Sequence, residues 1–178
     1  MKFLYSILFL CLQSNYAFTQ DSTNEQVTRN FLMDIFPKEH LMRKAFICEG
    51  IEESTVLKII ERIKHRKIIQ KTDDPALDSN VKDTSLLTLL KHQLETPARA
   101  WVKKYFKNAI IVDNARKNLP PGEILFWYSK PFLFDNQKKC IFYIEDYCGK
   151  RCASRRLSLY ELADGKWTLV IHLIKEIL

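Results

Sequence analysis

Apolar residues recur at helical spacing through the first half of the chain and at strand spacing through the second. Val27, Phe31, Leu32, Ile35 and Phe36 line one side of a helix that follows a polar start, and Pro37 ends it. Ser54 is placed to cap a second helix, in which Leu57, Ile60 and Ile63 alternate with charge as far as about Ile69. Lys71 to Ser79, with Asp73-Asp74-Pro75, reads as a linker. A third helix carries Leu86, Leu87, Leu89, Leu90 and Leu94 on a broad apolar face. Thr96-Pro97 then reads as the cap and first turn of a fourth helix that buries Trp101, Val102, Tyr105 and Phe106.

From Pro120-Pro121-Gly122 onward the pattern is that of strands. Ile124–Tyr128 and Cys140–Tyr147 are apolar and aromatic, with Asp135-Asn136 as the turn between them. Arg155–Leu162 and Trp167–Ile174 alternate around Asp164-Gly165. If Ala163-Asp164-Gly165 forms a three-residue loop, Leu159 faces Leu169 and Leu157 faces Ile171, while Tyr160 pairs with Thr168 and Arg156 with His172. A two-residue Asp-Gly loop puts Leu157 opposite His172 and mixes the faces, so the three-residue loop is the expectation. Helices first and strands afterwards predict an α+β domain, its N-terminal helices packed on a C-terminal antiparallel β-meander of about four strands.

The beginning of the chain changes the picture of where this domain works. Lys2 precedes an uncharged apolar run, Phe3 to Leu12, which is too short for the roughly 20 residues that span a bilayer. A polar break follows, and Ala17 and Thr19 provide the small residues a signal peptidase needs before Gln20. Residues 1–19 are therefore expected to be a cleaved signal peptide, and 20–178 a single domain with a helical part over 20–118 and a β-meander over 120–178. A lipoprotein signal at Cys11 fits less well, because Leu10 stands where a small residue belongs. The expected location is secreted or periplasmic, with no transmembrane segment after the leader is removed.

The formal net charge of +7 falls by one when Lys2 leaves with the leader. Basic residues are spread over Lys64-His65-Arg66-Lys67, Lys103-Lys104, Lys138-Lys139, Lys150-Arg151 and Arg155-Arg156. Such a surface attracts an anionic surface or polysaccharide, and it equally serves solubility. No helix-turn-helix, zinc-finger or RNA-binding signature accompanies it, so nucleic acid is not an expected partner.

Four cysteines remain after the leader: Cys48, Cys140, Cys148 and Cys152. In an oxidising compartment an even count favours disulfides, and four cysteines allow three connectivities. Gly149 permits a turn that brings Cys148 and Cys152 together, so a bridge between them is the first expectation. So small a ring restricts the unfolded chain by about 2 kcal/mol. Cys140 and Cys48 then pair or stay free. Cys140 alternates in phase with Phe142 and Ile144, as a buried, inert thiol would. The sharper alternative makes Cys148 and Cys152 a redox pair, its thiolate stabilised by Lys150, Arg151, Arg155 and Arg156. Against that stand the C-x₃-C spacing and the absence of a helix start after Cys152.

Candidate chemistry beyond the cysteines is sparse. His40, His65, His92 and His172 are scattered without ligand spacing, so neither a metal nor another cofactor is expected. Nucleophile elbow, phosphate loop and H-E-x-x-H motifs are absent, and no catalytic residue is nominated. Glu145 and Asp146 are adjacent on a strand and point to opposite faces. Trp167 is a candidate ligand platform or a packed hairpin aromatic. Lys150, Arg151, Arg155, Arg156 and Trp167 are thus the candidate ligand or surface contacts.

Ser129-Lys130-Pro131, Phe134, Tyr147-Cys148-Gly149, Cys152, Leu157–Tyr160 and Gly165-Lys166-Trp167 together resemble a group of small exported bacterial proteins. These are marked by a Cys-Gly-x-x-Cys hairpin followed by Gly-Lys-Trp. The resemblance covers about the last 50 residues and implies export and a β-hairpin unit, but no activity. Ala153 stands where the group has a second glycine, and Arg155 replaces a small residue.

Three readings follow. The leading one is a secreted, non-enzymatic binding or interaction module. The second is an exported thiol–disulfide protein using Cys148 and Cys152. The third is a pocket-bearing small α+β domain with ligand-binding or enzymatic activity. For processing, intact-mass analysis of exported material is expected to give a chain beginning at Gln20, and a diacylglycerol adduct on Cys11 would refute this cut.

Overall fold

The computed structural model describes residues 24–65, 84–113, 119–149 and 152–177. The predicted leader and its cut, the second helix beyond residue 65, the 71–79 linker and Lys150-Arg151 lie outside them. Helix α1 runs over 24–35 and buries Phe31 and Leu32, with Phe36 just beyond its end. After Pro37 comes the short α2, Lys38–Met42. Helix α3, Glu53–His65, starts one residue before the expected cap and buries Val56, Ile59, Ile60 and Ile63, leaving Leu57 to solvent. Helix α4, Thr84–Glu95, buries Leu87, Leu90 and Leu94 at i, i+3, i+7, while Leu89 faces out.

The expected fourth long helix is replaced by two 3-10 turns, Ala98–Ala100 and Val102–Lys104. Trp101 between them has φ −139°, which interrupts the helical path. The burial expectation nevertheless holds for Trp101, Val102 and Phe106, because eclipsed 3-10 turns still aim this cluster inward.

Among the described residues the sheet has seven strands and is mixed, which corrects the expectation of a purely antiparallel four-strand meander. The strands are β1 (Ala45–Cys48), β2 (Ala109–Val112), β3 (Leu125–Tyr128), β4 (Phe132–Phe134), β5 (Lys139–Tyr147), β6 (Ala153–Ala163) and β7 (Lys166–Ile177). Their order is β2-β1-β3-β5-β6-β7, with β4 also paired to β5. The four expected strands are β3, β5, β6 and β7, and they are antiparallel neighbours. The additions are β1, parallel to both β2 and β3, and β4, which continues along the edge of β5 after Ser129. At that interruption Ser129 and Tyr143 exchange hydrogen bonds: the Ser129 N–H donates to the Tyr143 carbonyl, and the Tyr143 N–H to Ser129 Oγ at 3.0 Å.

The β6–β7 hairpin corrects the expected register. Ala163 pairs with Lys166, so the loop has two residues, Asp164 (φ 50°) and Gly165 (φ 76°), both left-handed as a type I′ turn requires. Two bulges on β7 then restore the faces. The ladder passes from Tyr160↔Leu169 to Leu159↔Ile171, leaving Val170 extra, and from Ser158↔His172 to Leu157↔Ile174, leaving Leu173 extra. Arg156 lies opposite Lys175, and Tyr160 opposite Leu169. The bulge at Val170 turns Ile171 toward the α3-side core and His172 toward the other face, and the bulge at Leu173 brings Ile174 onto the same core as Ile171.

Both faces of the sheet are covered. On one, α3 and α4 pack on Leu125, Trp127, Ile141, Tyr143, Leu157 and Leu159. On the other, α1, α2 and the 3-10 turns pack on Phe126, Tyr128, Phe142, Ile144 and Tyr160. Phe31 anchors this second layer. It is fully buried and meets Phe142, Tyr160 and Trp167 edge-on at centroid distances of 5.5, 5.2 and 5.3 Å. Phe31→Ala is expected to cost about 3–5 kcal/mol in urea unfolding, since the rigid aromatic walls around it collapse poorly into the void.

Candidate functional site

Strand register places the candidate side chains in rows across the α1 face of the sheet. Tyr128, Ile144, Arg156 and Lys175 form one row, and Phe142, Ser158 and His172 the next. Helix α2 contributes His40 from above. Its Nε2 shares a 2.9 Å hydrogen bond with the Tyr128 hydroxyl, its ring stacks on Phe36 at 4.7 Å, and Phe126 meets it edge-on. Burial and the nearby Arg43 cation lower the His40 pKa to about 4. Burial raises that of Tyr128 out of the titrating range. Both groups are therefore neutral at pH 7.

Ser158 Oγ lies 2.8 Å from His172 Nδ1, and burial, Lys175 and Arg156 lower the His172 pKa. A serine beside a neutral histidine invites comparison with a nucleophile and its base. Ser158, however, is 1 % exposed in mid-strand, so its oxygen is not presented to a substrate. Arg156 is half-buried and lies within electrostatic reach of Tyr128, Tyr160 and His172. Arg43 lies over the Phe126 ring at 5.7 Å. Among the described residues neither arginine nor Lys175 makes an ion pair. The nearest carboxylate row holds Asp146, whose Oδ1 accepts the Ser154 hydroxyl at 2.5 Å.

Arg155, next in sequence to Arg156, belongs to the opposite layer. Its Nε donates to Glu145 Oε2 at 3.2 Å and its guanidinium pairs with Glu176 at 3.6 Å. Glu145 is buried and also accepts the Tyr143 hydroxyl at 2.5 Å, while Glu176 pairs with Arg62 of α3. Arg155 thus neutralises a buried carboxylate and ties helix to sheet. As alternation requires, Glu145 and Asp146 face opposite layers.

Cys148 and Cys152 lie at disulfide distance, their Cα atoms 5.2 Å apart, in a turn where the Cys148 N–H donates to the Cys152 carbonyl at 2.8 Å. Gly149 has φ 118°, a conformation that demands glycine there. Cys48 and Cys140 are free, buried in different cores on opposite faces of the sheet. Burial pushes the Cys140 thiol well above its usual range, as suits an inert core thiol. Trp167 is buried against Phe31, and its backbone N–H donates to Asp34 at 3.0 Å. Of the residues nominated from sequence, the structure thus brings Arg156 alone into the basic row. His40 and Tyr128 carried no sequence signal for this site, being 88 positions apart. His172 did, through its expected proximity to Arg156.

No family model, no curated protein and no solved structure matches this chain.

The lowered His40 pKa has a definite pH consequence. The unfolded state takes up this proton near pH 6.5 and the folded state only near 4, so stability falls as pH drops through that window. His40→Gln keeps a partner for the Tyr128 hydroxyl but does not titrate. Melting temperatures of the two proteins are expected to converge as pH falls from 7 to 4, and parallel pH profiles would refute the assignment.

Proposed function

We propose that this protein is an exported, non-enzymatic binding domain whose partner is an anionic polysaccharide held on the basic row of the α1 face. The observation that carries the reading is Arg156, a half-buried guanidinium without an ion pair among the described residues, beside Lys175 and near Arg43. A partly desolvated cation favours an anionic partner more than a fully solvated surface lysine does, because its field is less screened. The His40–Tyr128 and Ser158–His172 pairs fix the aromatic and polar floor around it without adding charge at neutral pH. A sulfate or carboxylate group accepts two parallel hydrogen bonds from a guanidinium, and Lys175 supplies a second, more mobile cation.

Export is part of the proposal and rests on the leader read over residues 1–19. A Cys148–Cys152 bridge serves it as a staple of the β5–β6 connection, in keeping with an oxidising compartment. Among the described residues, no helix is long and apolar enough to cross a membrane.

Heparin-agarose chromatography tests the reading. The native protein is expected to bind at low salt and to elute as salt rises. Arg156→Gln/Lys175→Gln should elute at clearly lower salt, whereas Lys58→Gln/Lys64→Gln, which removes the same two charges from the exposed side of α3, should shift elution far less. Equal shifts for the two variants would mean that net charge alone drives retention, and the proposed site would fall.

A further inference from the structure

A concave feature in the α1 layer is lined by residues that take no part in the basic row. Helices α1 and α2 and the end of the second 3-10 turn enclose a surface cavity of about 180 Å³. Leu32 and Leu41 are buried and line it, together with Met33, Met42 and Tyr105. Arg29 and Lys38 complete the lining, and neither makes an ion pair among the described residues. The Arg29 guanidinium lies 5.9 Å from the Tyr105 ring centroid, which holds the cation beside the cavity.

We infer that this cavity binds a small amphiphile with one anionic head, its apolar body against the leucines and methionines and its head between Arg29 and Lys38. Three observations converge on that class. The methionines are the only two in the chain beyond Met1, and they are 59 % and 43 % exposed at this one feature. Thioether side chains adapt to ligands of irregular shape and are over-used at binding surfaces. The volume is below the roughly 300–1,000 Å³ of sites for drug-sized ligands, so it suits a single ring or the end of a short acyl chain. The two cations without ion pairs complement an anionic head; a guanidinium takes a carboxylate through two parallel hydrogen bonds. None of these residues belongs to the basic row, so this site stands or falls independently of the polysaccharide reading.

The two internal methionines make the test direct. With methyl-¹³C-methionine protein, octanoate below its micellar concentration is expected to shift the Met33 and Met42 methyl signals saturably. Octan-1-ol should bind about tenfold more weakly, the equivalent of one charge-assisted hydrogen bond, and acetate should not bind at all. Arg29→Gln/Lys38→Gln should reduce octanoate binding to the octan-1-ol level, and Met33→Glu, at an exposed position, should abolish it. Heparin at saturating concentration should leave octanoate binding unchanged. Non-saturating shifts, equal binding of octanoate and octan-1-ol, or undiminished octanoate binding by the Arg29→Gln/Lys38→Gln protein would each overturn the inference.

Discussion

Burial of β5 on both sides is the constraint on which the remaining architecture rests. Each residue from Cys140 to Glu145 is at most 5 % exposed, so neither face of this strand can be left to solvent. The helices are accordingly divided between two layers, α1 and α2 on one and α3 and α4 on the other. The same burial reaches past the apolar run to Glu145. A carboxylate at that depth requires a counter-charge and hydrogen-bond donors, and Arg155 and Tyr143 supply them. The price of a continuous two-sided core is therefore a polar chain linking β5 to α3 through Arg155, Glu176 and Arg62.

Adjacent residues Arg155 and Arg156 show how this constraint shapes the candidate site. Alternation sends the first into the charged chain of the α3 layer and the second to the opposite face. The carboxylates Glu145 and Glu176 are committed to Arg155, and Asp146 is engaged by Ser154. Arg156 has no equivalent partner among the described residues, and the basic character of its row follows from that unequal distribution of acids.

Much of this was legible in the residues themselves. The strands β3, β5, β6 and β7 follow from apolar runs and alternation, and α1, α3 and α4 from helical spacing. The short strands β1 and β2 were not, because Ala45–Cys48 and Ala109–Val112 are four-residue apolar runs, too short to display a period. Their membership in the sheet is decided by long-range parallel pairing, which no local pattern encodes. The hairpin register failed for a different reason. Leu157, Leu159 and Ile171 were correctly assigned to one face and Arg156, Tyr160 and His172 to the other, but Thr168 and Leu169, which precede the first bulge, lie on the faces opposite to those expected, because the chain uses the tight turn with two bulges rather than a longer turn. At the candidate site, Arg156 and His172 could be brought together from strand alternation. His40 could not, because its place over Tyr128 depends on how α2 docks.

The bulges also bear on which changes of length this hairpin can accommodate over its descent. Val170 and Leu173 are each the surplus residue of a two-against-one pairing. Loss of Val170, whose side chain is exposed, would leave Leu169 followed directly by Ile171 and so preserve every face assignment beyond it. Leu173 is less expendable, since it packs against the α3-side core. Strand β6 has no such slack: removing one residue between Leu157 and Tyr160 would transpose Arg155 and Arg156 between layers, exchanging the buried counter-ion for the surface cation. Insertions and deletions in related chains should therefore accumulate on β7 while β6 keeps its length.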